Sequence, residues 1–243
     1  MSMNVRKLVG RYAAGPVDGV VHVGAHHGQE AATYDALGIE RRVWVEPDPD
    51  SAAVLRERVA AWGGGVVIEA GAGETPATLE LHRYSGKAGA VEGVSNSLLS
   101  LGDDAGRSWS LEETETVAVR VDRLDTLLDE AGSPMAGRWL LVVDTQGYER
   151  ACLAGAERTL ASSELVVCEV SEKPFYEGGA QIGDVDEIMV RHGFGRVYTR
   201  WAIEGHGDAL YARVERLPLT LRAVHALRGG RVKHADGRSG WSR

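Results

Sequence analysis

Two acidic residues each close a short apolar segment of the sequence, where a carboxylate could do chemistry. Asp144 follows the apolar residues 139–143, and Glu169 lies near the end of residues 165–170. A carboxylate is costly to bury without a partner, so we expect Asp144 to face a pocket. It could act as a general base, bind a metal ion or hold a cofactor amino group. Glu169 could share a divalent cation with Asp144 or hold a helix N-terminus, and His206 could reach the same edge of the sheet.

A glycine-containing turn earlier in the chain indicates a ligand pocket. The apolar segment 19–23 runs into Gly24 and Gly28, and a helical pattern follows. This order of strand, turn and helix lets the backbone approach a ligand and directs free N–H groups at it. The middle glycine of the dinucleotide fingerprint is missing, which disfavours NAD and favours a ligand without phosphate, such as S-adenosylmethionine (SAM). The expected cofactor contacts here are His22, Gly24, Ala25, His26, His27, Gly28 and Glu30.

Two later segments could hold the adenosine part of such a cofactor. Glu46 follows the predicted second strand, about 20 residues beyond the glycine turn, where a carboxylate can accept both ribose hydroxyls. Pro47 makes the following turn rigid, which favours a placed carboxylate over a solvated one. The small residues Gly71 and Ala72 would admit an adenine ring edge-on, although a plain turn explains them equally well.

The predicted strands bring these residues to one sheet. Strands are expected at residues 19–23, 41–45, 66–68, 139–143, 165–170, 195–202 and 208–214, mostly separated by helical patterns. Their order predicts an α/β fold with a doubly wound, Rossmann-like sheet whose last strand is antiparallel. We also expect residues 78–84 and 116–121 to pair as antiparallel strands, Asp50 or Ser51 to cap the helix after the second strand, and one helix to cover residues 149–160.

We interpret residues 1–215 as one domain and residues 216–243 as a basic tail, which carries seven Lys or Arg and one Asp. Residues 85–116 follow the third strand and are rich in Gly, Ser and Asp. Loops of that length are uncommon in compact domains unless they are functional or disordered. We therefore expect a lid on the substrate side, with a short helix around residues 98–101. A helix expected at residues 5–14 and the tail could serve as contacts in a homo-oligomer.

The composition excludes several classes of protein. The chain has 243 residues, 44% hydrophobic and 26% charged, and a net charge of −8, which argues against a nucleic-acid binder. Cys152 and Cys168 lie in apolar contexts and are expected to be reduced thiols. There is neither a signal-peptide pattern nor an apolar run of membrane-spanning length. We therefore expect a cytoplasmic protein with a small-molecule partner and no membrane partner.

Several short motifs occur in a characteristic order. The chain contains GAHHGQE at residues 24–30, EP at 46–47, SNSL at 95–98, RLDTL at 123–127, DTQGYE at 144–149 and GA at 155–156. Together they resemble the FkbM-type SAM-dependent methyltransferases, and the resemblance runs from about residue 18 to residue 214. The first strand of that family often carries Asp where this chain has His22, and its turn commonly has Asn where His26 stands.

The resemblance implies a seven-stranded methyltransferase fold and O-methylation, typically of sugar or polyketide hydroxyls in natural-product or glycan pathways. In this chemistry a protein group must remove a proton, and we expect Asp144 to do so, with Glu169 and His206 as alternatives. Some related enzymes hold magnesium with an adjacent Asp pair after the fifth strand, where this chain has Glu169-Val170. A metal requirement is therefore left open. The acceptor site is expected to include Ser95, Asn96, Ser97, Lys173, Tyr176 and Trp201.

Two alternative functions share the predicted sheet. The first is a nucleotide-binding dehydrogenase, which would bind NADH but not S-adenosylhomocysteine. The second is a non-catalytic module that has lost the cofactor, an alternative supported by the unusual residues His22 and His26. Such a module would bind no SAM analogue.

Overall fold

A computed structural model of the chain describes residues 3–86, 95–102, 111–133, 135–203, 205–217, 219–220 and 222. The helices are α1 Val5–Tyr12, α2 Ala31–Ala36, α3 Pro49–Ala61, α4 Leu124–Glu130, α5 Glu149–Ala154, α6 Glu157–Ser162 and α7 Ile182–Arg191. The strands are β1 Gly19–Val23, β2 Arg41–Val45, β3 Val66–Ile68, β4 Gly71–Ala72, β5 Ala77–Gly86, β6 Leu111–Asp122, β7 Trp139–Val143, β8 Ser163–Ser171, β9 Phe194–Ile203 and β10 His206–Arg213.

The main sheet has seven strands in the order β3-β2-β1-β7-β8-β10-β9. The first five are parallel, and β10 lies between β8 and β9, antiparallel to both. The order of the strands along the sheet reverses between β1 and β7, since β2 and β3 follow on one side and β8 on the other. This reversal places a crevice at the carboxyl ends of β1 and β7, where open α/β sheets bind ligands. The prediction of a doubly wound, Rossmann-like α/β fold with an antiparallel last strand is confirmed.

Both faces of this sheet are covered, which explains why its central strands are apolar throughout. Leu140 and Val142 of β7 pack in a core with residues of α1, α2 and α3. Leu141 and Val143 point to the other face and pack with residues of α4, α5, α6 and α7. A strand that is buried on both sides needs apolar residues at successive positions. No helix in the described part of the chain combines the length and apolar character needed to span a membrane.

A second, three-stranded sheet in the order β4-β6-β5 stands beside the first. β5 and β6 are antiparallel, as predicted, but they extend to residues 77–86 and 111–122. Both ends of the predicted loop 85–116 are therefore strand, whereas its residues 87–94 and 103–110 lie outside the described residues. The helix predicted around residues 98–101 is wrong, because Ser97 pairs with His82 and Leu101 pairs with Tyr176 in an extended segment.

Two further predictions about helices are corrected by local contacts. The N-cap of α3 is Asp48 rather than Asp50 or Ser51, because its carboxylate accepts the N–H groups of both residues and Pro49 occupies the first turn. The single helix predicted at residues 149–160 is broken into α5 and α6. A Cβ at Gly155 would lie 1.9 Å from the carbonyl oxygen of Gly73, so the chain approaches another backbone at this break.

We predict that Gly24→Ala will destabilise the protein much more than Gly38→Ala. Both glycines have positive φ, +76° and +70°, so either alanine costs about 1–2 kcal/mol in backbone strain. A Cβ at Gly24 would lie 1.7 Å from the carbonyl oxygen of Asp144, whereas Gly38 has no atom within 4 Å of that position. We expect a loss of about 3 kcal/mol or more for Gly24→Ala, measured by urea denaturation. Equal losses in the two variants would contradict the close approach of β1 and β7.

Candidate active site

A cavity of about 340 Å³ lies at the carboxyl ends of β1, β2 and β7. The second sheet contributes Leu81 and β4 to its wall, and residues 96–98 contribute another part. The lining residues are His22, Val23, Gly24, Ala25, His26, Gln29, Glu30, Glu46, Pro47, Gly71, Ala72, Leu81, Asn96, Ser97, Leu98, Asp144, Thr145, Gln146 and Tyr148.

The turn after β1 is fastened to the end of β2. The N–H groups of Gly24 and Ala25 donate to the carbonyl oxygen of Val45, at 2.9 and 3.1 Å. His26 adopts φ +45° and its N–H donates to Oε2 of Glu46 at 2.7 Å. Its ring stacks on His27, with centroids 3.8 Å apart. These hydrogen bonds, including the one to Glu46, therefore fix the shape of the turn.

Glu46 is buried and holds two backbone segments together. Its Oε2 accepts from His26 and its Oε1 accepts the N–H of Asp48 at 2.9 Å. Burial raises the pKa of Glu46 to about 7, even though these hydrogen bonds favour the ionised form. A carboxylate offers about four lone-pair sites, so Glu46 can still accept two hydroxyl groups from a ligand in the cavity.

His22 forms part of the cavity wall and is enclosed by aromatic rings. Its Nδ1 forms a hydrogen bond of 3.0 Å with the Tyr34 hydroxyl, and its ring lies 5.7 Å from that of Trp44. Nδ1 also lies 3.9 Å from Glu30. Burial lowers the pKa of His22 to about 4, so the imidazole is neutral at pH 7. The partnership with Tyr34 is a tertiary contact that the sequence pattern does not reveal.

A hydrogen-bonded chain connects the three predicted catalytic residues. The amide Nε2 of Gln146 donates to Oδ1 of Asp144 at 2.7 Å and to Oε1 of Glu169 at 3.0 Å. His206 Nε2 lies 2.5 Å from the same Oε1 of Glu169. Burial alone would lower the pKa of His206, but Glu169 outweighs it and raises the pKa to about 9. Gln146, which the sequence analysis did not single out, therefore joins Asp144 to a Glu169–His206 ion pair.

The loop that carries Gln146 is stabilised by Glu149 at the start of α5. Oε1 of Glu149 accepts from the N–H and the hydroxyl of Thr145, both at 3.1 Å, and from the N–H of Gly147 at 3.0 Å. Gln146 lies between these residues with φ +53°, a strained conformation for a residue with a side chain. The buried glutamate thus holds the loop in the shape that aims Gln146 at the two carboxylates.

Residues 95–102, here called the strap, run across the site from the second sheet to the loop before α7. Asn96 Nδ2 donates to Oδ2 of Asp48 at 2.9 Å. The Ser97 hydroxyl donates to the carbonyl oxygen of Gln146 at 2.7 Å. The Tyr176 hydroxyl donates to the carbonyl oxygen of Ser95 at 2.9 Å, and also lies 3.1 Å from Oε1 of Gln146. The strap therefore forms one wall of the cavity through contacts with three separate elements.

The structure brings most of the predicted site residues together, while their roles stay predictions. Those that line the cavity are His22, Gly24, Ala25, His26, Glu30, Glu46, Pro47, Gly71, Ala72, Asn96, Ser97 and Asp144. Those outside its lining are His27, Gly28, Ser95, Glu169, Lys173, Tyr176, Trp201 and His206. Glu169, Tyr176 and His206 line a separate cavity of about 10 Å³. Lys173 is exposed, and Trp201 packs against the core.

A second large cavity, of about 400 Å³, shares His26 and Asn96 with the first. Arg83 lies in its wall and forms ion pairs with Asp48, Asp50 and Glu115, at 2.6, 2.9 and 2.7 Å. The sequence analysis did not predict this cavity, since it is enclosed by α3 and the strands of the second sheet. Arg83 is paired with these three carboxylates and is not among the residues that line the first cavity.

Comparison with known families identifies the family of this chain. The family model described as "Methyltransferase FkbM domain" matches residues 22–195, which include the turn after β1, Glu46 and the Asp144–Glu149 loop. This chain belongs to the FkbM methyltransferase family. The resemblance noted in the sequence motifs is thereby confirmed.

Two solved structures similar to this FkbM-family chain have little sequence identity with it. An FkbM methyltransferase from Methylobacillus flagellatus KT matches with a TM-score of 0.51 and 16% identity, over 81% of this chain and 44% of that one. This chain thus spans less than half the length of that relative. A magnesium protoporphyrin IX methyltransferase from Synechocystis PCC 6803, solved with bound SAM, matches with a TM-score of 0.43 and 8% identity, over 82% of this chain and 71% of that one. No curated protein sequence matches this chain.

A metal centre in this FkbM domain would need several His, Cys, Asp or Glu side chains close together. In the described parts of the chain, no group of three or more His, Cys, Asp or Glu residues is arranged to hold a metal ion. Asp144 and Glu169 share the Gln146 amide rather than facing each other across an open space. These residues do not fit the divalent-cation site that the sequence left open.

We predict that His206 stays protonated up to about pH 9 and that Glu169→Gln removes this property. Without that carboxylate, burial lowers the pKa of the ring and only the charges of Asp144 and Glu149 still raise it, so the pKa should fall well below 9. The measurement is an NMR titration of the histidine Cε1–Hε1 signals. His22 is the internal control. Its pKa of about 4 is set by burial in surroundings that do not include Glu169, so it should be the same in both proteins. A His206 pKa near 6.5 in the unaltered protein would show that the ion pair is absent.

Proposed function

We propose that this FkbM-family protein transfers a methyl group from SAM to a hydroxyl of an uncharged small molecule, such as a sugar or a polyketide-type product. The proposal is carried by the composition of the cavity wall around Asp144. Asn96, Ser97 and Gln146 supply uncharged polar groups there, and no Lys or Arg is among the described residues that line the cavity. An acceptor with a phosphate or carboxylate would find no cation, whereas a hydroxyl finds hydrogen-bonding partners and a base.

Several features of the cavity fit SAM as the methyl donor. Glu46 has lone pairs available for two ribose hydroxyls, at the strand end where α/β proteins bind that group. Gly24 keeps the turn after β1 close to the sheet edge, and Gly71 and Ala72 leave room beside Glu46. When bound, SAM supplies an electrophilic methyl group on a positively charged sulfur.

Asp144 is the proposed acceptor of the hydroxyl proton. As the oxygen–carbon bond forms and the carbon–sulfur bond breaks, the hydroxyl proton must pass to a base. Burial, together with the charges of Glu169 and Asp208, raises the pKa of Asp144 well above its usual range. Its ionised form is therefore a stronger base than an exposed aspartate. Gln146 orients one oxygen of the Asp144 carboxylate. The Glu169–His206 pair lies outside the main cavity.

The proposed setting is a cytoplasmic enzyme built on one domain that ends near residue 215. Cys152 and Cys168 are buried free thiols, as expected in a reducing compartment. The strand β10 lies inside the main sheet and ends at Arg213, so the domain must include the chain to that point. Most of the tail at residues 216–243 lies outside the described residues.

We predict that Asp144→Asn will lower kcat by about 10²-fold or more, because the amide cannot accept the proton. The assay uses methyl-labelled SAM and a panel of neutral glycosides and polyketide alcohols, with mass spectrometry to locate the added methyl. Binding of S-adenosylhomocysteine, measured by calorimetry, checks that the variant keeps a folded cofactor cavity. The control is Asp50→Asn, an exposed carboxylate outside this cavity, which should keep its activity.

Four results would contradict parts of the proposed function. Full turnover by Asp144→Asn would exclude this residue as the base. Methylation of nitrogen or carbon in every accepted substrate would exclude O-methylation. Binding of NADH without binding of S-adenosylhomocysteine would favour the dehydrogenase, and binding of neither would favour a non-catalytic module.

A further inference from the structure

The register of the main sheet brings three carboxyl groups into a row at its edge. Val143 of β7 lies opposite Cys168 of β8. The next residues, Asp144 and Glu169, are therefore neighbours, close enough for one amide to contact both. On the other side of β8, Glu169 lies opposite Asp208 of β10. Like charges on adjacent strands repel each other. The groups that separate these carboxyl groups therefore determine where each of them lies.

The side-chain amide of Gln146 is held at both of its ends. Its Nε2 carries two N–H groups, which donate to Oδ1 of Asp144 at 2.7 Å and to Oε1 of Glu169 at 3.0 Å. Its Oε1 lies 3.1 Å from the hydroxyl of Tyr176. Half a turn of the amide would bring its oxygen against both carboxylates. The amide therefore has one favourable orientation, with its donors towards Asp144 and Glu169.

Glu169 is fixed in turn by His206. Nε2 of His206 lies 2.5 Å from the same Oε1 of Glu169 that accepts from Gln146. The ring of Phe175 packs edge-on against the imidazole, with centroids 5.1 Å apart. Both members of the pair belong to hydrogen-bonded strands, β8 and β10. Side chains on strands are placed more precisely than side chains on loops, so this pair is a rigid anchor for the amide.

The position of the pair separates it from the reacting groups. Glu169 and His206 line the cavity of about 10 Å³, which has room for about one water molecule. They are not among the residues that line the main cavity, whereas Asp144 and Gln146 are. A substrate in the main cavity therefore meets Asp144 directly. The pair reaches that cavity through Gln146.

We propose that Glu169 and His206 are positioning residues, which hold the Gln146 amide and thereby fix the Asp144 carboxylate for proton transfer. Neither of them is then the base. This inference rests on the proposed methyl transfer with Asp144 as the proton acceptor. A base must lie within hydrogen-bonding distance of the hydroxyl, and a displacement of about 1 Å can lower the rate about 10²-fold. A carboxylate held at one oxygen keeps the other oxygen in a constant place.

Two substitutions of Glu169 separate the hydrogen bond from the charge. Glu169→Met keeps most of the volume but removes the acceptor, and should lower kcat about tenfold or more with little change in the KM for SAM. Glu169→Gln keeps a carbonyl oxygen for Gln146, so its kcat should stay within about threefold of the unaltered protein. Each kcat is measured at the optimum pH of that variant, so that a changed ionisation of Asp144 does not contribute. Equal losses in the two variants would contradict positioning by a hydrogen bond.

A double-mutant cycle shows whether Glu169 acts through the amide. Gln146→Met removes the bridging group itself. In that background Glu169→Met should change kcat less than about twofold, because the group that it anchors is already absent. A further loss of about tenfold would show that Glu169 affects the reaction by another route, and would overturn the inference.

Glu164 provides a matched control for the loss of a buried carboxylate from the same strand. It lies at the other end of β8, is 1% exposed, accepts the N–H of Ala14 at 2.9 Å and pairs with Arg216. Glu164→Met should lower Tm, as Glu169→Met does, but should leave kcat unaltered. A similar loss of kcat in both variants would show that Glu169 has only a structural role.

NMR of the protein without SAM gives a readout that does not depend on activity. The two side-chain N–H signals of Gln146 are identified by their absence in Gln146→Met, and should be shifted downfield and protected from exchange. In Glu169→Met one of them should exchange about tenfold faster or more. His206→Leu should have a smaller effect in the same direction, because Glu169 loses its anchor. Glu164→Met should leave both signals unaltered.

The two levels of the proposal fail in different ways. If Asp144→Asn stops turnover while Glu169→Met keeps its kcat, the positioning role is overturned and the proposed function stands. Unprotected Gln146 signals in the unaltered protein would likewise overturn the positioning role alone. If the unaltered protein methylates no hydroxyl, the proposed function is overturned and the inference with it.

Discussion

Burial of carboxylates at the carboxyl edge of the sheet is the constraint on which the site depends. Glu46 is held by backbone N–H groups, and Asp144 and Glu169 share the amide of Gln146. Each arrangement satisfies a buried oxygen with a neutral donor, and Glu169 is also paired with the protonated His206. The buried carboxylates are therefore compensated within the fold by hydrogen bonds and by an ion pair.

The same hydrogen bonds connect the site to the rest of the molecule. Asp48, two residues beyond Glu46, caps α3, pairs with Arg83 of β5 and accepts from Asn96 of the strap. One carboxylate therefore couples the end of β2, the second sheet and the cavity wall. On the opposite side, Tyr176 and Ser97 attach the strap to the Gln146 loop. The walls of the cavity are consequently set by contacts between elements, not by the conformation of one loop.

The sequence predicted those features that short segments encode. The bounds of β1, β2, β3 and β7 agree with the predicted ones, because each run of apolar residues ends sharply at a Gly or an acidic residue. The order of the motifs likewise predicted the family that the comparison confirmed. The strap could not be predicted, because its hydrogen bonds to Asp48 and Gln146 join residues 48 and 49 positions apart. The cap of α3, by contrast, is a local feature of Asp48 and Pro49 that the sequence analysis placed two or three residues too late. The role of Gln146 could not be predicted from its motif, because that role depends on contacts in space with two carboxylates.

Gln146 illustrates why an uncharged residue suits this position. A Lys or Arg there could also bridge Asp144 and Glu169, and it would neutralise one of the charges outright. It would also lower the pKa of Asp144. The amide holds the two carboxylates at hydrogen-bonding distance while it leaves the pKa of Asp144 raised by burial and by Glu169. Its backbone, strained at φ +53° and held by Glu149, keeps the amide aimed at them. Strain, burial and neutral hydrogen bonding thus act together to keep Asp144 at the cavity wall with a raised pKa.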